Sequence, residues 1–540
     1  MCGDSLLHRF ALDAPFQNVL KDYNQKNGTH YTLDDYRQWV YDYTDISDHT
    51  QKDDFRKRIE DIKRAVKTEL NDKEKGKIAK VRGAIDNLQM GDFFGDKKKE
   101  NEKKIKALQK ELKALEQQRA EIESNKIYDQ AFEWRFEFPA LLDKNGDFMG
   151  FDIIIGNPPY INANELKKVL GIPKYNKLKS QYETAKGTVD FYIYFFEVGL
   201  LLLKSDGVLS FITPNKFFSA NYGRVLRDYL ICNVHFVGFV DVSRNEIFDA
   251  SVYPLITTFY KKIVTEPYSF YVIDKNNQTQ LFSSTQLRFL PENIWGFMLC
   301  SNYSLIGNIV NKSIPITEVC KVNATSTASE VDDFHGFITE TNTEGKKLIN
   351  TGTIDPFVTK WGKQRLIDKG EKYLTPYLPN DKNILGENRY KMYNSPKIIV
   401  AKMALSIEGF YDEKGNFSSI NTNCFHTISV NPKLLLAWIH SSIFHYLYEC
   451  FFEGLKMSGG YLPFSAPYLS CMYYPSNTNK EEDIVKVVDN ILKKQQLTNE
   501  DKTEINSYFY KLYGLTYDEV LIVDPETPIT REEYEHNKTI

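Results

Sequence analysis

The sequence predicts an α/β domain, an α+β domain after it and a helical tail. Three observations carry that prediction. Residues 151–263 alternate strand-like runs (FDIIIG, GVLSFITP, HFVGFVDV, VYPLITTFY) with helical stretches over 189–204 and from Ala220 to Leu230. Residues from about 264 to 480 change to short β-like runs, SPKIIVAKM and HTISV among them, broken by turns. In residues 481–540, Ile484, Val488 and Ile491 share one helical face.

The first run, FDIIIG, is nearly continuously apolar, so it reads as a parallel central strand buried on both faces. Ahead of it lies a charged helical region. Phe55, Ile59, Ile62, Val66 and Leu70 recur at three- and four-residue steps, and Ile78, Val81, Ile85 and Leu88 continue the rhythm. After the turn MGDFFGD, Ile105, Leu108, Leu112, Leu115 and Ile122 take heptad positions. This predicts a helical hairpin over 49–126, inserted into an α/β domain made of 1–48 and 127–263. A spacer explains its charged faces without any ligand; a DNA clamp or partner-docking arm fits the same pattern.

Composition narrows the function. A chain of 540 residues exceeds one core, and 42% hydrophobic residues suffice to bury several. Net charge is −4 and the pI about 6.2, so the chain is no globally basic nucleic-acid coat. Any nucleic-acid contact needs a local patch, and Lys346 to Lys402 offers one, with twelve Lys/Arg against five acids and interleaved Trp361, Tyr373, Tyr377, Tyr390 and Tyr393. A solvated surface fits these charges equally. The candidate contacts are Lys360, Lys363, Arg365, Lys369, Arg389 and Lys391. The seven cysteines form no C-x-x-C pair, which argues against a zinc site and for reduced thiols in a cytoplasm. No metal site is expected. The most apolar stretch, Phe191 to Leu203, is short and carries Glu197, so no membrane span or signal peptide is expected.

Chemistry concentrates in Asn157-Pro158-Pro159-Tyr160, directly after FDIIIG. Consecutive prolines cannot continue a sheet ladder and stiffen the backbone. They place a rigid corner at the carboxyl end of a strand, where open α/β sheets bind ligands. The exocyclic amine of a nucleobase is a poor nucleophile because its lone pair is delocalised. The Asn157 side-chain oxygen and the Pro158 carbonyl can accept its hydrogens, and Tyr160 supplies a ring face for the base. Positioning, with no strong base, then supplies the acceleration. A plain proline turn after a strand is the alternative, since Asn-Pro is common turn chemistry.

The segment FDIIIGNPPYI resembles the catalytic motif of class I adenine-N6 DNA methyltransferases. AFEWRFEFPALL before it, GTVDFYIYFFEVGLLLLKSDGVLSFITPNKFF after it and EIFDASVYPLITTFYKK later resemble restriction–modification methylases of the Type IIG kind. The region from Asn293 to Pro475 is similar to their TaqI-like specificity domain, chiefly at SPKIIVAKM and YLPFSAPYL. The resemblance covers most of 128–525. It implies a Rossmann-like catalytic domain and a target-recognition domain over 264–480, ahead of the helical tail read over 481–540. It also implies S-adenosylmethionine as methyl donor and double-stranded DNA as substrate, with an adenine extruded from the helix. Phe248 matches the aromatic that packs on the extruded adenine, and Asp4 the acid that accepts from the donor's adenine amine. For Phe248 the alternative is a core residue beside a strand, and for Asp4 an exposed turn.

The sequence departs from the family where the donor binds. No G-x-G loop follows a strand; Gly28 and Gly91 lack that context. The resemblance therefore implies that the front of the methyltransferase domain is missing. Three explanations compete: a partner polypeptide supplies it, the reading frame is truncated, or catalysis has been lost. In the last case the chain is a non-catalytic DNA-recognition or interaction subunit. Methylation at cytosine N4 is a further alternative with similar amine chemistry. Asp412-Glu413-Lys414 reads as a turn, not a nuclease signature, and no G-x-x-x-x-G-K-[ST] loop is present, so neither DNA cleavage nor ATP hydrolysis is expected.

Overall fold

The computed structural model of the chain describes residues 4–8, 10, 15–65, 72–91, 98–123, 128, 131–244, 253–478 and 481–536. Its main feature is a six-stranded sheet of β1 (Phe151–Gly156), β2 (Leu203–Pro214), β3 (His235–Asp241), β4 (Pro254–Tyr260), β5 (Ser269–Ile273) and β6 (Thr279–Ser283). Their order is β1-β2-β4-β3-β5-β6. The pairs β1/β2 and β3/β5 are parallel and β5/β6 is antiparallel. The fold is mixed α/β with a Rossmann-like sheet, as the alternation of runs predicts.

One expectation about this sheet is corrected. β1 lies at the sheet edge, hydrogen-bonded among the described strands to β2 alone, and is not a buried central strand. Ile153 is 61% and Ile155 79% exposed. An apolar run records what a strand can bury; the strands beside it decide what it does bury.

By packing, the chain divides into two units, Met1–Thr213 with Tyr229–Val237 and Thr257–Thr265, and Pro214–Asp228 with Gly238–Ile256 and Glu266–Ile540. In the first unit a core gathers Phe16, Val19, Leu20, Leu33, Tyr36, Trp39, Phe136 and Leu142. The helix Phe16–Asn27 ends on Gly28 at φ +65, and Thr32 with Asp35 caps the helix Leu33–Asp45. Ile59 and Ile62 of the helix His49–Ala65 join this core, so that helix packs with the N-terminal region. The helices Asp72–Gly91 and Lys98–Glu123 pair with each other, and Arg82 meets Glu116 across them. The turn MGDFFGD lies largely outside the described residues.

In the second unit, buried Trp295 packs on Phe217, Phe218 and Phe239 at ring separations of 6.4, 5.4 and 5.9 Å. Residues beyond 264 therefore complete the core around the ends of β2 and β3, which explains why this unit reaches back before them. Strands Lys321–Ala324, Lys397–Ala401, Gly409–Asp412 and Thr422–His426 form a four-stranded sheet. Its core includes Leu348, Ile349, Leu378, Tyr393, Ile399 and Phe410. The tail begins at the helix Glu481–Lys494, whose Ile484, Val488 and Ile491 are buried. Trp438 packs on Phe509 and Tyr513 of the helix Asn499–Tyr513 at 5.1 and 5.6 Å. No helix among the described residues is long and apolar enough to cross a membrane.

His440 caps the helix Pro432–Ile439, its Nδ1 bonded to the Leu436 carbonyl at 2.8 Å and its ring 4.5 Å from that of Phe357. Burial pulls its pKa down to about 4. Below pH 6.5 the unfolded chain gains a proton that the folded chain refuses until about pH 4. Stability therefore falls as pH drops through that window, by at most about 3 kcal/mol from this residue. His440→Asn is expected to remove that share of the loss, read from urea unfolding at a series of pH values.

Candidate active site

β1 delivers the proline corner. A Cβ at Gly156 would stand 3.0 Å from the Phe211 ring, so the strand's last residue must be small. Pro158 is buried, whereas Asn157 and Pro159 are exposed. Tyr160 is half-buried and its hydroxyl donates to the Ile212 carbonyl at the end of β2, 3.1 Å away. The next residue, Ile161, accepts from Phe191 N–H at 2.8 Å. Asn162 then caps the helix Ala163–Gln181, its Oδ1 accepting from the Asn164 and Glu165 N–H groups at 3.1 and 3.0 Å. The corner is thus tied down on both sides.

Its two acceptors are unpartnered. Among the described residues the Asn157 side chain makes no hydrogen bond, and no backbone N–H donates to the Pro158 carbonyl. Both can receive the hydrogens of an incoming amine. Burial pushes the Tyr160 hydroxyl up to about 12, so it stays protonated at neutral pH and is no base. If Tyr160 acts through its ring, Tyr160→Phe is expected to stay within about fivefold of the wild-type single-turnover rate. Tyr160→Ala should lose about 5- to 150-fold, the value of one base–aromatic contact. No Tyr160 ionisation should appear in the rate between pH 6 and 9.

Sequence reasoning missed Glu197, read only as an interruption of an apolar helix. Its buried carboxylate accepts from Glu183 N–H, Thr184 N–H and the Thr184 hydroxyl at 2.8, 2.8 and 2.7 Å. It fixes the loop that precedes Phe191, and Phe191 in turn holds the corner. A lone acid in so apolar a helix was the available signal. Also missed was a small cavity of about 30 Å³ in the second unit, lined by Asn215, Asp241, Ser243, Lys275 and Glu453 among others. Asn215 follows β2 and Asp241 ends β3, both carboxyl ends of strands, and burial raises the Asp241 carboxyl above its ordinary range.

The other predicted residues fare variously. Asp4 Oδ1 accepts from Leu6 and Leu7 N–H at 3.1 and 3.3 Å, a local turn, while its backbone bridges to Ala131. Phe248 lies outside the described residues. Lys360 pairs with Asp355, Lys369 with Asp332, Arg389 with Glu330 and Lys391 with Glu387. Lys363 and Arg365 are exposed and unpaired among the described residues. Asp412 anchors the turn at Glu413-Lys414 by accepting from Asn416 and Phe417 N–H, as a turn requires.

Comparison with known proteins gives this arrangement a context. Residues 31–248 match the Eco57I restriction-modification methylase family. That span contains β1, the proline corner, β2 and β3. Across 449 residues the chain is 23% identical to the Type II methyltransferase M.PaeR7I of Pseudomonas aeruginosa, covering 70% of this chain and 75% of that protein. It is 27% identical over 179 residues to the Type II restriction enzyme and methyltransferase RM.Eco57I of Escherichia coli, covering 30% of this chain and 18% of the relative. The Type II methyltransferase M.BanIII of Aneurinibacillus aneurinilyticus is 30% identical over 156 residues, covering 28% of this chain and 26% of its own length. The matches to RM.Eco57I and M.BanIII thus span about a quarter or less of those proteins. Among solved structures, the Type IIL restriction-modification enzyme MmeI in complex with DNA aligns with 72% of this chain and 57% of its own. The identity is 11% and the TM-score 0.34. Over these spans the chain is similar to Type II methyltransferases of restriction-modification systems.

Proposed function

We propose that the chain is the catalytic and target-reading part of a site-specific adenine-N6 DNA methyltransferase of a restriction–modification system, working in the cytoplasm. The observation that carries this reading is the unpartnered pair of acceptors at Asn157 and Pro158, at the carboxyl end of β1 and next in the chain to Tyr160. An adenine rotated out of the duplex lays its ring on Tyr160 and its amine between the two oxygens. Extrusion costs a few kcal/mol, and aromatic contacts worth about 1–3 kcal/mol each offset it. Phe248 is the second proposed aromatic. Residues 264–480 read the target sequence, and of the six candidate contacts Lys363 and Arg365, unpaired among the described residues, are free to meet phosphate.

S-adenosylmethionine supplies the methyl group. The described residues fit the acceptor base better than the donor. Asp4 is the one candidate for the donor's adenine, and one of its oxygens is committed to the Leu6–Leu7 turn. The exposed edge of β1, with Ile153 and Ile155 uncovered, suits a polypeptide that extends the sheet and brings the rest of the donor site.

The test is transfer of labelled methyl from S-adenosylmethionine to duplex DNA, by the chain alone and with a polypeptide carrying a strand, glycine loop and helix. Label on DNA in either case supports the reading. Salt-sensitive DNA binding without donor binding in any complex, measured by calorimetry, marks a recognition subunit instead.

A further inference from the structure

Two segments distant in sequence meet in a short antiparallel ladder of the second unit. Met403 pairs with Pro463 and Ala404 with Leu462. One step outward the register sets Leu405 opposite Tyr461. Both are exposed, at 56% and 46%, and Met457, whose backbone bonds to Tyr461, is 57% exposed. Met457 N–H donates to the Tyr461 carbonyl at 2.9 Å and Gly460 N–H to the Met457 carbonyl at 3.0 Å, closing a tight turn. Gly459 and Gly460 sit at φ +81 and +84, which this turn requires.

The root of the ladder is rigid. Leu462, Phe464 and Tyr448 are fully buried. Tyr448 donates to the Pro463 carbonyl, Asn423 Nδ2 to the Phe464 carbonyl at 2.7 Å, and Phe464 N–H to the Lys402 carbonyl at 2.9 Å. Exposed Lys402 precedes the ladder on one strand, and Lys456, paired with Glu449, adjoins Met457 on the other. A stiff root therefore carries a small apolar tip with one cation unpaired among the described residues, Lys402, at its base. A broad apolar face suits a protein partner. A narrow tip of Leu, Met and Tyr beside lysine suits a base step of duplex DNA, where apolar side chains wedge between stacked pairs.

We infer that Leu405, Met457 and Tyr461 form a wedge that enters the DNA stack and opens it for extrusion of a base. The inference rests on the DNA reading above, but its test does not require methyl transfer. The full chain is titrated into duplex DNA carrying 2-aminopurine at scattered adenine positions, whose fluorescence rises when neighbouring bases unstack. Wild type is expected to raise it about threefold or more. The combined Leu405→Ser, Met457→Ser, Tyr461→Ser variant should bind DNA within about threefold of wild-type affinity and give less than half the rise. Tyr461→Phe should keep the rise, and matching circular dichroism and melting temperature establish that the variants fold. An equal rise in the triple variant, or DNA binding by wild type with no rise, overturns the wedge. A wild-type dimer that becomes monomeric in the variant also overturns it, since the tip is then a protein contact.

Discussion

Asn157→Ala is expected to lower methyl transfer by about 10²–10³-fold, the effect of removing one preorganised polar contact from a reacting group. The substitution deletes an oxygen that no described protein group uses, so stability should not change. Alanine keeps the strand–proline geometry, because Gly156 and the two prolines set the backbone, and the Tyr160 hydroxyl and Ile161 carbonyl tie down its far side. DNA affinity should also hold, since the proposed phosphate contacts, Lys363 and Arg365, lie elsewhere in the chain. Single-turnover transfer and filter binding on the same preparation separate the two. A rate loss matched by a binding loss would make Asn157 a DNA contact.

Lys397→Ala is expected to destabilise the second unit by about 3–5 kcal/mol. Lys397 and Asp412 are buried, 2.6 Å apart, and the ammonium also donates to the Tyr393 carbonyl at 2.9 Å. Burial pulls the lysine pKa down and Asp412 opposes that shift. Removing the cation strands a buried carboxylate. Lys397→Met with Asp412→Leu should recover only part of the loss, because Asp412 also accepts from Asn416 and Phe417 N–H and its removal frees those donors. Urea unfolding of the full chain reads both variants against the wild type. Full recovery in the double variant would show that the ion pair alone was at stake.

These residues also show what sequence can and cannot convey. The run FDIIIG followed by Asn and two prolines marks the strand and its corner, because apolarity, glycine and proline act locally; β1 is Phe151–Gly156. Its exposure was not legible, because burial belongs to neighbouring strands. The basic patch was counted along the chain from 346 to 402, but Glu330 and Asp332, which neutralise Arg389 and Lys369, lie outside that window and reach them only through the fold. Lys397 was counted as surface charge and is buried. The Leu405–Tyr461 pair depends on the register between two remote segments, which no local pattern records. Glu197 alone had a sequence signal, its isolation among apolar residues.

The central claim is that the Asn157–Pro158 corner accepts an exocyclic amine, and the most direct measurement is the identity of the methylated atom. DNA labelled in the transfer assay is digested to nucleosides and the product identified by mass spectrometry against standards. The account predicts N6-methyladenine. A methyl group on a ring carbon, such as C5 of cytosine, would contradict it, because two hydrogen-bond acceptors facing an amine give no route to that product.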